Sequence, residues 1–116
     1  MAFFPKQMRI TNESQLRMLF DSGKSISSGG ITLKYIYSQT EFKVGFSAPK
    51  RLHTTAVTRN LLKRRMRESF PLQKNILGDS FYGIGYFIYS EKVVKSSSEI
   101  YRAFTTLLTK WKDSET

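Results

Sequence analysis

The sequence contains no cysteine and only one histidine, His53. The first absence excludes a disulfide framework and every thiolate metal site. The second excludes zinc sites built on two or three histidines. Acidic residues are also scarce, nine against 19 lysines and arginines. They are scattered from Glu13 to Glu115 with no D-x-D or comparable cluster. A carboxylate site for Mg²⁺ and an acid–base pair are therefore not expected, and no catalytic or metal-ligating residue is assigned. His53 stands alone in a basic stretch and is expected to be exposed. No apolar run approaches the length of a membrane span. The opening MAFFPKQMRI is broken by Pro5, Lys6 and Arg9 and lacks the apolar core of a signal peptide. A cytoplasmic protein without membrane contact is expected.

What is present is positive charge. The formal net charge is +10 and the pI is about 10.0. Self-repulsion on that scale destabilises a compact domain, so a polyanionic partner is expected, nucleic acid before an anionic membrane surface. The length of 116 residues suits one domain, 1–116, and 40% hydrophobic residues suffice for a small core.

The pattern predicts the order α, β, β, α, β, α. A first helix runs from about Glu13 to Asp21, with Asn12 and Gln15 as a capping box and Gly23 at its end. SGKSISSGG reads as a loop. ITLKYIYS (31–38) and FKVGFS (42–47) read as strands, with SQTE as a short hairpin connection between them. SAPKRLHTT is a basic loop. A central helix carries TAVTRNLLKRRMRESF (55–70) and is expected to stop at Phe70, because Pro71 follows. A third strand lies around Phe81–Tyr89. Ser96 and Glu99 form a second capping box, after which Ile100, Ala103, Phe104, Leu107, Leu108 and Trp111 keep helical spacing. The fold class is α+β, a small sheet with helices packed on it.

The central helix holds the densest charge. At about 100° per residue, Arg59, Lys63, Arg67, Asn60 and Arg64 fall in an arc of roughly 140°. Glu68 is the sole acid in the segment, and like charges at i, i+4 repel. A merely solvated helix has no use for that pattern. Two adjacent ridges of cations can follow a sugar–phosphate backbone, and arginine forks bind phosphate bidentately. Val57, Leu61, Leu62 and Met66 are expected to hold the helix to the sheet, and Glu68 to pair with Arg64 or Arg65.

These residues also carry a resemblance. A-V-x-R-N-x-x-K-R-x-x-R-E (Ala56, Val57, Arg59, Asn60, Lys63, Arg64, Arg67, Glu68) resembles the signature of the bacterial ribonuclease P protein component. KVGFSAPKR, with Gly45, Phe46, Ser47, Lys50 and Arg51, resembles that family's G-[LF]-S-x-x-K-[KR] strand and loop. The resemblance implies a two-layer α/β sandwich with a small mixed sheet and a left-handed β-α-β crossover through the basic helix. It implies a subunit of the endoribonuclease that removes the 5′ leader from precursor tRNA. The partners are then a catalytic RNA and precursor tRNA, with no obligate protein partner. Hydrolysis belongs to the RNA and its Mg²⁺, which the protein supports without binding the ion itself.

By carry-over, Arg59, Asn60, Lys63, Arg64 and Arg67 face the RNA. The sequence departs from the family at Leu61, where many members have arginine, and at Arg65, where many have an apolar residue. Leu61 and Arg65 share a helix face, so Arg65 is expected to supply the displaced charge to the RNA. The family also binds the leader in an aromatic cleft between the first helix and the sheet. Phe20 matches one of its aromatics, and the same residue on an apolar stripe also fits core packing. Leu16 stands where many members have Phe, and Lys34 where many have a strand Tyr, which weights the cleft towards charge, with Lys50 and Arg51 at its edge. Tyr35 and Tyr37 alternate to the opposite face and are expected in the core.

Overall fold

The computed structural model describes residues 9–10 and 13–115. Helix α1 is Glu13–Ser22. Strands β1 (Lys24–Ser28), β2 (Ile31–Tyr37) and β3 (Phe42–Ser47) follow. Helix α2 (Ala56–Gln73) leads through a 3₁₀ turn at Lys74–Ile76 to β4 (Gly83–Tyr89), and α3 (Ser97–Ser114) closes the chain. The four strands form one mixed sheet in the order β1-β2-β4-β3.

Three expectations are corrected here. The stretch read as a loop contains β1, which pairs antiparallel with β2 from Lys24↔Tyr35 to Ser28↔Ile31. Serine-rich KSISS has little strand propensity. The two-residue turn Gly29–Gly30 forms the hairpin, because both glycines take positive φ, 57° and 80°, as a tight hairpin turn requires. SQTE is no hairpin connection either. β4 lies between β2 and β3, antiparallel to the first and parallel to the second, from Phe42↔Gly83 to Ser47↔Ile88. The parallel pair is joined by a β3-α2-β4 crossover. Finally, α2 does not stop at Phe70. It continues through Pro71 to Gln73, whose buried amide donates to the Tyr101 carbonyl at 2.7 Å and accepts from the Thr105 hydroxyl. These bonds to α3 hold the last turn despite the hydrogen bond that proline cannot make.

Helices α2 and α3 pack together on one face of the sheet. Leu62, Met66 and Phe70 from α2 meet Ile100, Phe104, Leu107, Leu108 and Trp111 from α3 in the core. Phe87 stacks on Phe104 with centroids 4.5 Å apart, and Phe46 on Phe87 at 5.6 Å. The Trp111 indole lies against β4, where a Cβ added at Gly85 would stand 2.6 Å from its ring. The S-x-x-E capping box of α3 forms as expected. The Ser96 amide and hydroxyl both donate to the Glu99 carboxylate, which holds its pKa below the usual range.

The short α1 lies on the opposite face, against β2 and β4. Leu19 is fully buried there, and Gln15 donates to the Glu41 carboxylate at 2.7 Å. Asn12, the other half of the expected capping box, lies outside the described residues.

Candidate nucleic-acid interface

The buried stripe of α2, Leu62, Met66, Ser69, Phe70 and Gln73, fixes the direction of every other side chain on it. Lys63, Arg67 and Asn60 emerge along one flank. With Arg9 they line a groove of about 270 Å³ over the β3 edge, floored by Ile10, Val44, Gly45 and Phe46. The lining holds three cations and no carboxylate. Residues 9 and 10 lie beside this edge, where the Ile10 amide donates to the Val44 carbonyl at 3.2 Å.

The other helix cations do different work. Arg59 reaches back across the first turn, and its Nη1 donates to the carbonyls of His53 and Thr54, each at 2.9 Å. Arg64 points away from the sheet and pairs with Glu68 at 3.6 Å, with both side chains well exposed. That pair is one of the two expected for Glu68, and such exposed pairs contribute little. Arg65 leaves the opposite flank of α2 from Lys63, and its Nη1 donates to the Lys95 carbonyl at 2.6 Å. The helix therefore brings Asn60, Lys63 and Arg67 together, sets Arg59 and Arg64 on either side of them, and sends Arg65 towards α3.

Two further expectations fail locally. Val57 does not hold the helix to the sheet, since it is 81% exposed. His53 is buried, not exposed. Its Nε2 lies 2.8 Å from the Glu91 carbonyl, and its ring meets Tyr89 edge-on. The neighbouring Tyr89 hydroxyl donates to the Val93 carbonyl and accepts from the Lys95 amide. Burial is the main cause that raises the Tyr89 pKa. Together these bonds tie the basic loop after β3 to the loop after β4. Lys50 and Arg51 sit exposed in the turn of that basic loop, which the Leu52 and His53 amides close onto the Pro49 carbonyl at 3.2 Å.

On the α1 face, one row of cross-strand neighbours reads Lys34, Tyr86, Gly45. Phe20 is half exposed and meets Tyr86 edge to face, with centroids 5.9 Å apart. The Lys34 ammonium stands 5.9 Å from the Phe20 centroid. A Cβ at Gly45 would be 2.7 Å from the Tyr86 ring, so the tyrosine lies directly over that glycine. Phe20 is thus no main-core residue. Tyr86 is the member of this cluster that the sequence reading missed. Strand alternation from buried Phe87 was the available signal. Tyr35 is buried as expected, but Tyr37 is 64% exposed at the strand end.

Among the described residues, no three His, Asp or Glu side chains gather to hold a cation. No described helix is long and apolar enough to cross a membrane.

This geometry has relatives. The family model for Ribonuclease P matches residues 4–112. The Ribonuclease P protein component of Nitrosococcus oceani is 32% identical over 76 residues, which cover 65% of this chain and 64% of that protein's length. The component from Streptococcus agalactiae is 33% identical over 75 residues, covering 64% of this chain and 68% of the relative. Among solved structures, the RNase P protein of Staphylococcus aureus has a TM-score of 0.77 at 22% identity, over 92% of this chain and 97% of that one. The RNase P protein of Thermotoga maritima has a TM-score of 0.76 at 18% identity, over 88% and 96% of the two chains. These solved structures share the chain's fold, and the family match runs almost from end to end: the chain belongs to the Ribonuclease P protein family.

Proposed function

We propose that this chain is the protein subunit of a ribonuclease P ribonucleoprotein, which removes the 5′ leader from precursor tRNA. The observation that carries the reading is the groove of Asn60, Lys63, Arg67 and Arg9, three cations and an amide with no acid in the lining. It fits the phosphates of a folded catalytic RNA. Arg64 extends that surface outwards. Arg59 holds the loop beneath it and Arg65 braces α2 to the loop before α3, and each keeps its charge near the RNA while doing so.

The single-stranded leader lies on the α1 face, over Phe20 and Tyr86, with Lys34 beside them and Lys50 and Arg51 meeting its phosphates. Stacking and a basic rim together bind an unpaired strand with little sequence demand. Mg²⁺ belongs to the RNA in this reading, and the protein acts by binding and orienting leader and RNA. Hydrolysis is assigned to the RNA subunit.

The test is cleavage of a precursor tRNA at low Mg²⁺ by a bacterial ribonuclease P RNA alone, by the protein alone, and by both. The expected result is that the protein restores cleavage to the RNA and does nothing by itself. Failure to restore it overturns the subunit reading. Cleavage by the protein alone overturns the assignment of the chemistry to RNA.

A further inference from the structure

We infer that the groove between α2 and α3, on the opposite flank of α2 from Lys63, seats one unpaired nucleotide of the RNA subunit, with its base on Tyr101 and Leu72 and its phosphate on Arg65. The inference rests on the subunit reading above and adds a second RNA contact to it. The groove measures about 260 Å³, near the lower end of the about 300–1,000 Å³ of small-ligand clefts. Arg65, Ser69 and Leu72 line it from α2, and Ser97, Ser98 and Tyr101 from α3. Two bonds set the spacing of its walls. At one end the Arg65 Nη1 donates to the Lys95 carbonyl at 2.6 Å, and at the other the Gln73 amide donates to the Tyr101 carbonyl at 2.7 Å. Between them the lining is serine. Ser69 is buried, and its hydroxyl donates to the Arg65 carbonyl at 2.9 Å. Small side chains leave the space, and the bonds at both ends keep it open before any ligand arrives.

The two ends differ in chemistry. Leu72 is 61% exposed and Tyr101 41%. An exposed ring offers a face on which any base can stack. Arg65 is half-buried, and among the described residues no carboxylate pairs with it. A guanidinium carries five N–H donors, and the Lys95 carbonyl takes one. The remaining fork suits a phosphate. Glu68 stands at the rim, paired with Arg64. An apolar end, a hydroxyl-lined middle and a cationic end match base, ribose and phosphate in that order. A partner helix would need apolar anchors spread over i, i+3 or i+4, and i+7, whereas this groove has two apolar side chains at one end. The leader reading puts the precursor strand on the α1 face, across the sheet from α2 and α3, so the nucleotide belongs to the RNA subunit. Arg64, exposed on the crest of α2, gives that RNA a cation between the Lys63 flank and this one.

The test uses the whole chain and a bacterial ribonuclease P RNA. Tyr101→Phe should keep RNA affinity, because the ring remains. Tyr101→Leu should weaken it about fivefold or more, because stacking is lost while apolar surface stays. Neither change touches the Tyr101 carbonyl that holds Gln73, and thermal melts verify that both variants fold. A second measurement does not depend on Tyr101. The chain has no cysteine, so Leu72→Cys gives a single attachment point for a photoreactive azidophenacyl group. Crosslinking in the reconstituted holoenzyme should map to one unpaired nucleotide of the RNA subunit. Full affinity in Tyr101→Leu, with Arg67→Ala still weakened, overturns this inference and leaves the subunit reading standing. A crosslink to precursor tRNA alone, to a second copy of the chain, or to nothing overturns it too. A wild-type chain that does not bind the RNA overturns the subunit reading and this inference with it.

Discussion

Replacing Arg59 by alanine should cost both stability and RNA affinity, whereas replacing Arg67 should cost affinity alone. The two arginines sit two turns apart on the same ridge, so the sequence presents them as equivalents. The structure separates them. Arg59 closes its Nη1 onto two carbonyls at 2.9 Å, His53 and Thr54. A hydrogen bond to a charged group contributes about 1.5–3 kcal/mol. Thr54 is exposed, so water replaces that bond at small cost, and the loss is set mainly by the partly buried bond to His53. The expected destabilisation is about 1–2 kcal/mol. Arg67 is exposed, and among the described residues its one hydrogen bond is a 3.5 Å approach of Nε to the Lys63 carbonyl. Its loss should change stability by less than about 0.5 kcal/mol. Urea denaturation measures the first quantity. Titration with ribonuclease P RNA over a range of salt measures the second, where Arg67→Ala should flatten the salt slope by about 1. Arg59→Lys sharpens the comparison, since it keeps the charge but one ammonium replaces a planar fork. Equal stabilities for Arg59→Ala and Arg67→Ala would refute the reasoning, and so would an Arg67→Ala variant that loses more than about 1 kcal/mol.

Gly85→Ala should destabilise the protein by about 1–3 kcal/mol, because its Cβ would stand 2.6 Å from Trp111 and 3.0 Å from Leu33; urea denaturation reads this, and a neutral result would mean that the indole can move. Glu99 is held below its usual pKa by the Ser96 amide and hydroxyl. The depressed folded-state pKa means that this stabilisation is fully present above the unfolded carboxylate pKa and is lost as pH falls through the folded one. Acid titration of wild type against Glu99→Gln should therefore show the two stability curves converging as pH falls, and parallel curves would refute the linkage.

The helices were legible in the sequence because each has an apolar stripe that nothing else explains. All six apolar positions proposed for α3, from Ile100 to Trp111, are buried. The sheet was less legible, for a physical reason. Strand propensity reports how a residue fits a pleated, half-buried surface, and β1 is an edge strand whose serines bury little. Its formation depends on a turn and on the neighbour β2. Strand order is less local still. FKVGFS and ITLKYIY are consecutive in the chain, yet β4 separates them after a helical crossover, and no local pattern in SQTE records that.

The site divides along the same line. The charge was legible as charge, since Asn60, Lys63 and Arg67 do share one flank of α2. What each cation does depends on the backbone within its reach. Arg65 was expected to replace a missing arginine at the RNA, and it donates to the Lys95 carbonyl. His53 was expected to be exposed because its partner, the Glu91 carbonyl, is 38 residues away and has no side-chain signature. Tyr86 is the converse case. It stands in an aromatic run, and only the register that pairs it with Lys34 and Gly45 turns it towards α1. Gly45 then matters for the space it leaves, since the tyrosine ring occupies the volume of a side chain that is not there. Lys34 and Tyr86 are 52 residues apart in the chain and become neighbours only through that register.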